Sequence, residues 1–471
     1  MNMNIVSRKP RFVSGLKLKE NKKSEHSPIL LIPPPSRVII PMQMHTGAEC
    51  SLLVQRGDSV KTGQLIAESD SFVSANIHST ITGTVKSILK TVSPATSTII
   101  SAVEIVSKSA QQQTGDAQDS DAAGALYEDE VVFDNSASIK SVEEFRAFLK
   151  KIDSEQAPGL IQKIKAAGIV GLGGAAFPTH VKLSVPEGKK IDTVILNGCE
   201  CEPYITADHR LMLEQGMEIL AGAYIIFKIL NPQKVIIAIE NNKEDAIKNL
   251  ADIIKELGIE HIFSISALPS RYPMGAEKTL IKNILKRKVP VGGLPLNVGV
   301  VVQNVSTAKA IFDAVAYDKP LIERVITVTG DIEKPLNLMV RIGTLVKDLK
   351  DYFGVLKEKP YDIIFGGPMT GFSVANMNFP IVKGNGCVLV KQGEKLVEKN
   401  CIRCGKCVSV CPMNLMPLMY GTYAKNNMWE QCSDYYIECC IECGSCAYVC
   451  PSAIPLVGYI KTGKAVIARK K

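Results

Sequence analysis

At 471 residues the chain is too long for one hydrophobic core and predicts roughly three to four domains. Its 46% hydrophobic and 22% charged residues describe an ordinary folded polypeptide with material for several cores. The net charge of +8 is modest at this length, reads as solvated surface and gives no sign of a nucleic-acid partner. No apolar run approaches the ~18 to 20 residues that span a bilayer; the longest candidate, 217–230, is broken by Lys228 and reads as a buried helix. The opening MNMNIVSRKPRF lacks the apolar core of a secretory signal. Any membrane association is therefore expected to be peripheral.

In chain order, residues 1–106 form the first unit. From 30 to 106, β-branched residues are punctuated by turn signals at Arg56-Gly57-Asp58, Lys61-Thr62-Gly63 and Ile81-Thr82-Gly83, which predicts a small all-β module. The stretch from 54 carries the G-D-x-V-x-x-G-Q hairpin and resembles a lipoyl or biotinyl carrier of the barrel-sandwich type. Carriers present a lysine at a hairpin tip, but this tip reads Glu68-Ser69-Asp70-Ser71. Docking is expected, not a covalently carried cofactor. Residues 107–135 are predicted to be a flexible linker, polar and nearly free of large apolar side chains through 126.

Between 136 and 322, strand-like runs at 193–196, 235–239 and 261–265 alternate with helical patterns at 208–230, 243–257 and 276–287, the organisation of a Rossmann-like α/β domain. Residues 323–395 return to short strands around one helix near 344–353, a small α+β module. Residues 396–471 are dominated by cysteine. Of 14 cysteines, ten lie between Cys401 and Cys450, in tight triplets that point to metal ligation in a reducing compartment.

Cys401, Cys404, Cys407 and Cys411-Pro412 form one run, and Cys440, Cys443, Cys446 and Cys450-Pro451 repeat it 39 residues on. This is the C-x2-C-x2-C-x3-C-P spacing of two-cluster ferredoxins. Three thiolates on one tight turn cap three irons of a cubane, and the fourth iron takes its ligand from the other run. Cys401, Cys404, Cys407 and Cys450 are thus expected to hold one [4Fe–4S] cluster, and Cys440, Cys443, Cys446 and Cys411 the second. Zinc, the alternative, prefers two C-x2-C pairs. Gly405 and Gly444 relieve crowding in each triplet. Cys432 and Cys439 fall outside both runs and are read as non-ligands. The connection 413–439 looks helical, which favours a helical variant of the ferredoxin module.

Upstream, Gly171-Leu-Gly-Gly-Ala-Ala-Phe-Pro-Thr179 is a glycine-rich loop whose backbone amides can approach a phosphate or a ring edge closely. Asn197-Gly-Cys-Glu-Cys-Glu-Pro203 follows a strand and puts two carboxylates at its carboxyl end, where open α/β sheets bind ligands. Tyr272-Pro-Met-Gly-Ala-Glu277 precedes one helix and Gln303-Asn-Val-Ser-Thr307 opens another. Cys199 and Cys201 are read as packing residues on opposite faces of a strand. His180 and His209 are read as surface or supporting residues.

These four segments, in this order, resemble the FMN- and NADH-binding segments of the flavin-carrying subunit of respiratory complex I. The whole chain is more similar still to the RnfC family, the C components of Rnf complexes, which are ion-translocating ferredoxin:NAD oxidoreductases. That resemblance implies a lipoyl-like β module, a flavoprotein α/β domain at 136–322, a β-grasp-like soluble-ligand-binding domain at 323–395 and a two-cluster domain at 396–471. It implies that Gly171, Gly173, Gly174 and Lys182 hold non-covalent FMN, with Asn197, Glu200, Asn304 and Thr307 completing its shell. Phe177, Glu202 and Glu277 would face NAD(H). It further implies a translocase-type oxidoreductase subunit at the cytoplasmic face of the cell membrane. Its partners would be other Rnf subunits, among them the ferredoxin-accepting iron–sulfur subunit. Ala176 stands where the family usually has glycine, Ala276 replaces the first of two adjacent acids in the complex I pattern, and SGLKLKENKK lacks the usual Gly-Gly-Val-His-Pro-Pro start.

Two other functions fit the same parts. A soluble flavin and iron–sulfur cobalamin reductase of a metabolic microcompartment would carry its carrier-like module towards the C-terminus, whereas here it precedes the flavin domain. An adaptor that only relays electrons would show a degraded flavin loop, and residues 171–174, Glu200 and Glu202 are in place.

Overall fold

The computed structural model describes residues 15–93, 98–107, 138–354, 361–393 and 396–470. The predicted linker at 107–135 lies almost wholly outside the described residues.

The first module is built from alternating short strands in two antiparallel sheets. One has the order Arg37–Pro41, Ile99–Val106, Gly83–Val92, Ser59–Val60; the other runs Ser51–Leu52, Leu65–Glu68, Ile77–His78. Val38, Ile40, Ile66, Ile77, Val85, Val103 and Ile105 fill the space between them, the period-2 inward pattern of a sandwich. The sequence places everything from residue 1 to 106 in this module, but residues 15–31 run elsewhere. Strand Ile29–Leu31 pairs in parallel with Leu336–Arg341, and Leu16 bridges Tyr272. The reason is compositional: KLKENKKSE has no alternating apolar face to offer a sandwich.

The second unit is a four-stranded parallel sheet in the order Phe263–Leu268, Lys234–Glu240, Thr193–Gly198, Val300–Asn304. The first three strands step in one direction; the fourth crosses back to the far side of the first. Near-continuous apolar runs such as VIIAIE are what a parallel sheet covered on both faces requires. The run at 217–230 lies in helix Gly216–Leu230, whose first eleven residues are buried except Met217. It packs on helix Val305–Tyr317.

The third unit is a mixed six-stranded sheet, ordered Ile29–Leu31, Leu336–Arg341, Glu323–Gly330, Cys387–Gln392, Tyr361–Phe365, Phe372–Val374. Its core is Ile326, Val328, Leu338, Val340, Leu349, Phe353 and Phe365, with the short helical segments Val346–Leu349 and Lys350–Phe353 closing one side. The last unit is helical: Pro417–Lys425, Trp429–Asp434 and Leu456–Lys470 enclose Tyr420, Cys432, Ile437 and Ile460. Among the described residues no helix is long and apolar enough to cross a membrane.

The two long helices of the α/β unit touch at Gly222, where an added Cβ would lie 1.8 Å from the Ala308 carbonyl oxygen. Backbone cannot yield there without moving one helix. Gly222→Ala is expected to cost about 3 kcal/mol of stability through overpacking, read as a lower urea midpoint with an unchanged slope.

Candidate functional site

Reversal of strand order leaves a crevice beyond the carboxyl ends of two neighbouring strands, and this is where open α/β sheets bind ligands. Here the reversal falls between Thr193–Gly198 and Val300–Asn304, and their register sets Asn197 directly opposite Asn304. Asn304 also caps the helix that follows, its Oδ1 accepting from the amides of Ser306 at 2.9 Å and Thr307 at 3.3 Å. Its Nδ2 donates to Asp208 at 2.6 Å. Asn197 donates to the Gly275 carbonyl at 2.9 Å, which draws the 272–277 segment to the same edge.

The glycine loop closes over this crevice as a tight turn. The Gly171 amide donates to Phe177 O at 2.9 Å, and Val170 bridges Pro178. The Leu172 amide donates to Thr307 Oγ1 at 2.9 Å, latching the turn to the helix start. A Cβ on Gly173 would come within about 3.0 Å of the Asn304 side chain, so glycine is what permits the approach. Gly173, Gly174 and Ala175 are exposed at the tip, and Phe177 is half-buried at its base. Ala176 takes φ +50, a left-handed conformation that carries a methyl at some cost. Lys182 reaches in from helix Thr179–Leu183, donating at 2.9 Å to both Val302 O and Glu277 Oε2. Gly171, Gly173, Gly174, Lys182, Asn197, Asn304, Thr307 and Glu277 are thus gathered around one crevice.

The two remaining acids have other partners. Glu200 is buried; its Oε1 accepts from the Asp208 amide at 2.8 Å, and its Oε2 has only Lys22, 4.0 Å away. Glu202 was expected to face the nucleotide, but its carboxylate accepts from the amides of Met369 and Thr370 and from Thr370 Oγ1. It fastens a turn of the third unit.

Sequence reasoning missed the strap that shapes this edge. Residues 15–22 cross the carboxyl ends of three parallel strands. Leu16 pairs with Tyr272, the Glu20 carboxylate accepts from Asn242 and Ser270, and the Lys22 ammonium donates to the carbonyls of Glu200, Glu202 and Ile205. The strap fills the crevice on one side, so ligand space remains at the Asn197–Asn304 side. The tip of the first module bounds the other flank: Thr46 holds the carbonyls of Ala175 and Ala176, and His180 meets the Phe72 carbonyl at 3.1 Å. His180 and His209 are both buried, His209 against Asp245 at 2.8 Å. The strand ends at Gly198, so Cys199 and Cys201 lie beyond it, and burial raises both thiols, Cys201 to about 12.

The cysteine runs fold as a structural repeat. Arg403 and Glu442 take φ +55 and +56, Gly405 and Gly444 φ +73 and +77. Each turn points an amide at the first sulfur of its run: Arg403 N–H to Cys401 at 3.4 Å, Glu442 N–H to Cys440 at 3.3 Å. Cys401, Cys404, Cys407 and Cys450 line one cavity of about 190 Å3. Cys411, Cys440, Cys443 and Cys446 line a second, tighter one. The thiols therefore assemble in the crossed quartets expected from spacing, spread around a cavity as a cubane needs; Cys432 and Cys439 line neither. Two contacts join the second quartet to the units upstream. Tyr272 Oη donates to Cys443 O at 2.6 Å, and Gly444 lies so close to the third unit that a Cβ would meet Met369 O at 2.5 Å.

Comparisons with known proteins agree with this geometry. The family model of the Nuo51 FMN-binding domain matches residues 164–313, that of the RnfC barrel sandwich hybrid domain residues 10–110, and that of the 4Fe-4S dicluster domain residues 400–454. The chain is 41% identical to the C component of the proton-translocating ferredoxin:NAD(+) oxidoreductase complex of Clostridium ljungdahlii, over 90% of this chain and 87% of that one. It is 38% identical to the Na(+)-translocating counterpart of Acetobacterium woodii, over 84% and 83%. Against the C component of the ion-translocating oxidoreductase complex of Pseudomonas aeruginosa it is 38% identical, over 98% of this chain and 56% of that one. These relatives lend no support to a cobalamin reductase.

The buried Glu200 gives a pH test. Burial lifts its carboxyl from 4.5 to about 7, outweighing the pull of Lys22. The native state thus keeps a proton that the unfolded chain releases, so this group withdraws stability as pH rises from about 4.5 to about 7. Glu200→Gln removes the titration. Its stability should gain on that of the wild type across this window, in urea melts from about pH 5 to 8.

Proposed function

The chain belongs to the RnfC family of ion-translocating ferredoxin:NAD(+) oxidoreductase complexes, the Rnf complexes, and from that premise we propose how its residues divide the work. It is an electron-transferring oxidoreductase subunit with an FMN-binding domain and a 4Fe-4S domain, and other Rnf subunits are its partners. Bound FMN supplies hydride exchange with a nicotinamide, and iron–sulfur clusters supply one-electron carriage. Ion passage belongs to partner subunits in the membrane.

In this reading Gly171, Gly173 and Gly174 present backbone to the flavin, while Asn197, Asn304 and Thr307 fix the crevice floor. Lys182 contributes a positive charge, balanced by its ion pair with Glu277. Glu200 supports Asn304 through Asp208. Phe177 and Glu277 border the NAD(H) position, and Glu202 ties that border to the turn touching Gly444. The donor set suits FMN: exposed loop amides, an ammonium within reach and a glycine that a Cβ would close against Asn304. Eight thiols in two cavities suit two clusters, and the quartet beside Tyr272 is the nearer to the flavin crevice. Exposed Cys401 and Cys404 leave the other quartet towards a partner, which we assign as the ferredoxin-accepting iron–sulfur subunit at the cytoplasmic face. The first module is a docking unit and the 323–395 unit a β-grasp-like connector. The observation that carries the reading is the pair of contacts, Tyr272 to Cys443 and Met369 to Gly444, by which a thiol quartet abuts loops bordering the crevice.

Anaerobic reconstitution is expected to load about eight irons, four for each cluster. Cys404→Ser should remove one cluster's EPR signal and leave the other measurable; an unchanged iron count would refute the ligand assignment.

Nucleotide choice tests Glu277. A carboxylate at this position favours ribose hydroxyls and repels a 2′-phosphate, by roughly 1 kcal/mol at ~4 Å in water and more where solvent is excluded. Glu277→Gln is expected to raise NADPH-driven flavin bleaching relative to the NADH-driven rate in stopped flow. An unchanged ratio removes Glu277 from the nucleotide position and leaves it as the partner of Lys182 alone.

A further inference from the structure

We propose that Arg324, with Lys383 beside it, is an electrostatic positioning residue: together they form a buried cationic platform behind the glycine loop that favours an anionic group on the loop's exposed face. The inference rests on the reading of residues 171–174 as the flavin loop.

Arg324 comes from strand Glu323–Gly330 of the third unit and is buried. Its guanidinium is used on carbonyls: Nη2 donates to Leu172 O at 3.3 Å, Nη1 to Lys383 O, and Nε to Val325 O at 3.3 Å. Among the described residues the opposing charge it senses is Asp208, which is itself engaged by Asn304 and Ser306. Lys383 is also buried, with Nζ on Asn76 O at 2.6 Å and Gly168 O at 2.8 Å. The next residue, Gly384, leaves a Cβ only 3.2 Å from Gly174 O and 3.3 Å from the Ala176 methyl. The two cations and this glycine grip the loop at Gly168, Leu172 and Gly174.

Taking an unneutralised guanidinium out of water is expensive, and a neutral amide would satisfy the same carbonyls at less cost. What the charge adds is a field, weakly screened because its surroundings exclude water and salt. Opposite it lie exposed Gly173, Gly174 and Ala175, a concave run of backbone that suits an anion. Burial lowers Arg324 to about 10 and Lys383 to about 8, so both are predominantly charged at neutral pH. FMN carries anionic character in two places, its phosphate and its reduced ring.

FMN and riboflavin share the ring and differ in the phosphate, which separates the two. Full-length Arg324→Gln, Arg324→Lys and Lys383→Met are titrated anaerobically with each flavin by fluorescence, and the bound flavin's two-electron midpoint potential is measured. With the phosphate over the platform, Arg324→Gln weakens FMN on the order of tenfold or more, as loss of a charged partner does, and leaves riboflavin nearly unchanged. With the ring there, the potential falls because the reduced anion loses its counter-charge. In either case Arg324→Lys retains most of the wild-type behaviour. Equal weakening of FMN and riboflavin at unchanged potential, or a lysine variant as impaired as the glutamine one, would make Arg324 a neutral latch and overturn the proposal. If Arg324→Gln does not fold, Lys383→Met carries the same comparison, its expected loss being smaller. Wild-type protein that binds neither flavin overturns the flavin reading itself, a result distinct from either.

Discussion

The parallel register that sets Asn197 opposite Asn304 is the constraint on which the rest of the molecule depends. Both asparagines end a strand, and both turn a side-chain amide to a loop that would otherwise be free: Asn197 to Gly275, Asn304 to its own helix start and to Asp208. Because backbone hydrogen bonds fix the register, these side chains are held to within the tolerance of a sheet, not of a loop. The glycine turn then needs only one further latch, Leu172 to Thr307, to close over the same point. A slip of one residue in either strand would turn one asparagine to the opposite face and scatter the loops that gather there.

Around this crevice the protein uses buried charge where a neutral residue would pack more cheaply. Lys22, Glu200, Glu240 and Lys243 form one buried group beneath the strap, Lys243 and Glu240 meeting at 2.8 Å. Lys22 carries it furthest, since its ammonium ties three carbonyls of the 200–205 loop. Such groups give poor net stability but penalise any arrangement in which one partner is missing. That is a way of making loop geometry all-or-none. The same logic explains why Glu202 is tied to the third unit: one carboxylate fixes the turn that the cluster unit rests upon.

How much of this was legible in the sequence depended on range. The cysteine quartets were legible down to their crossing, because a cubane's needs are written in spacings of three and four residues. The segments around Gly171, Asn197, Tyr272 and Asn304 were legible as a group, since strand-end motifs converge on one edge of a parallel sheet. The partners of Glu202 were not: nothing local distinguishes a carboxylate facing a nucleotide from one capping a turn 167 residues away. Lys22, Asp208 and Arg324 were invisible for the same reason, each looking like surface charge until the fold encloses it. Asp208 alone left a trace, as the third acid in the short stretch from Glu200. The strap escaped because its polar sequence reads as a tail; its role comes from hydrogen bonds to loops that the sequence does not place beside it.

That strap also ties the two ends of synthesis together. Asn337 donates to the carbonyls of Ser24 and Ser27, some 310 residues earlier, and Ile29–Leu31 waits for the strand at 336–341. Contacts this non-local close an enormous loop before returning any stability, so they form late. On the ribosome the N-terminal segment must stay undocked until more than two thirds of the chain has emerged, while the β module just behind it has everything it needs to fold. The carboxyl edge of the parallel sheet, with its buried lysine position empty, is then the last part of the molecule to become native, which makes nascent chains halted before residue 336 the ones that expose it.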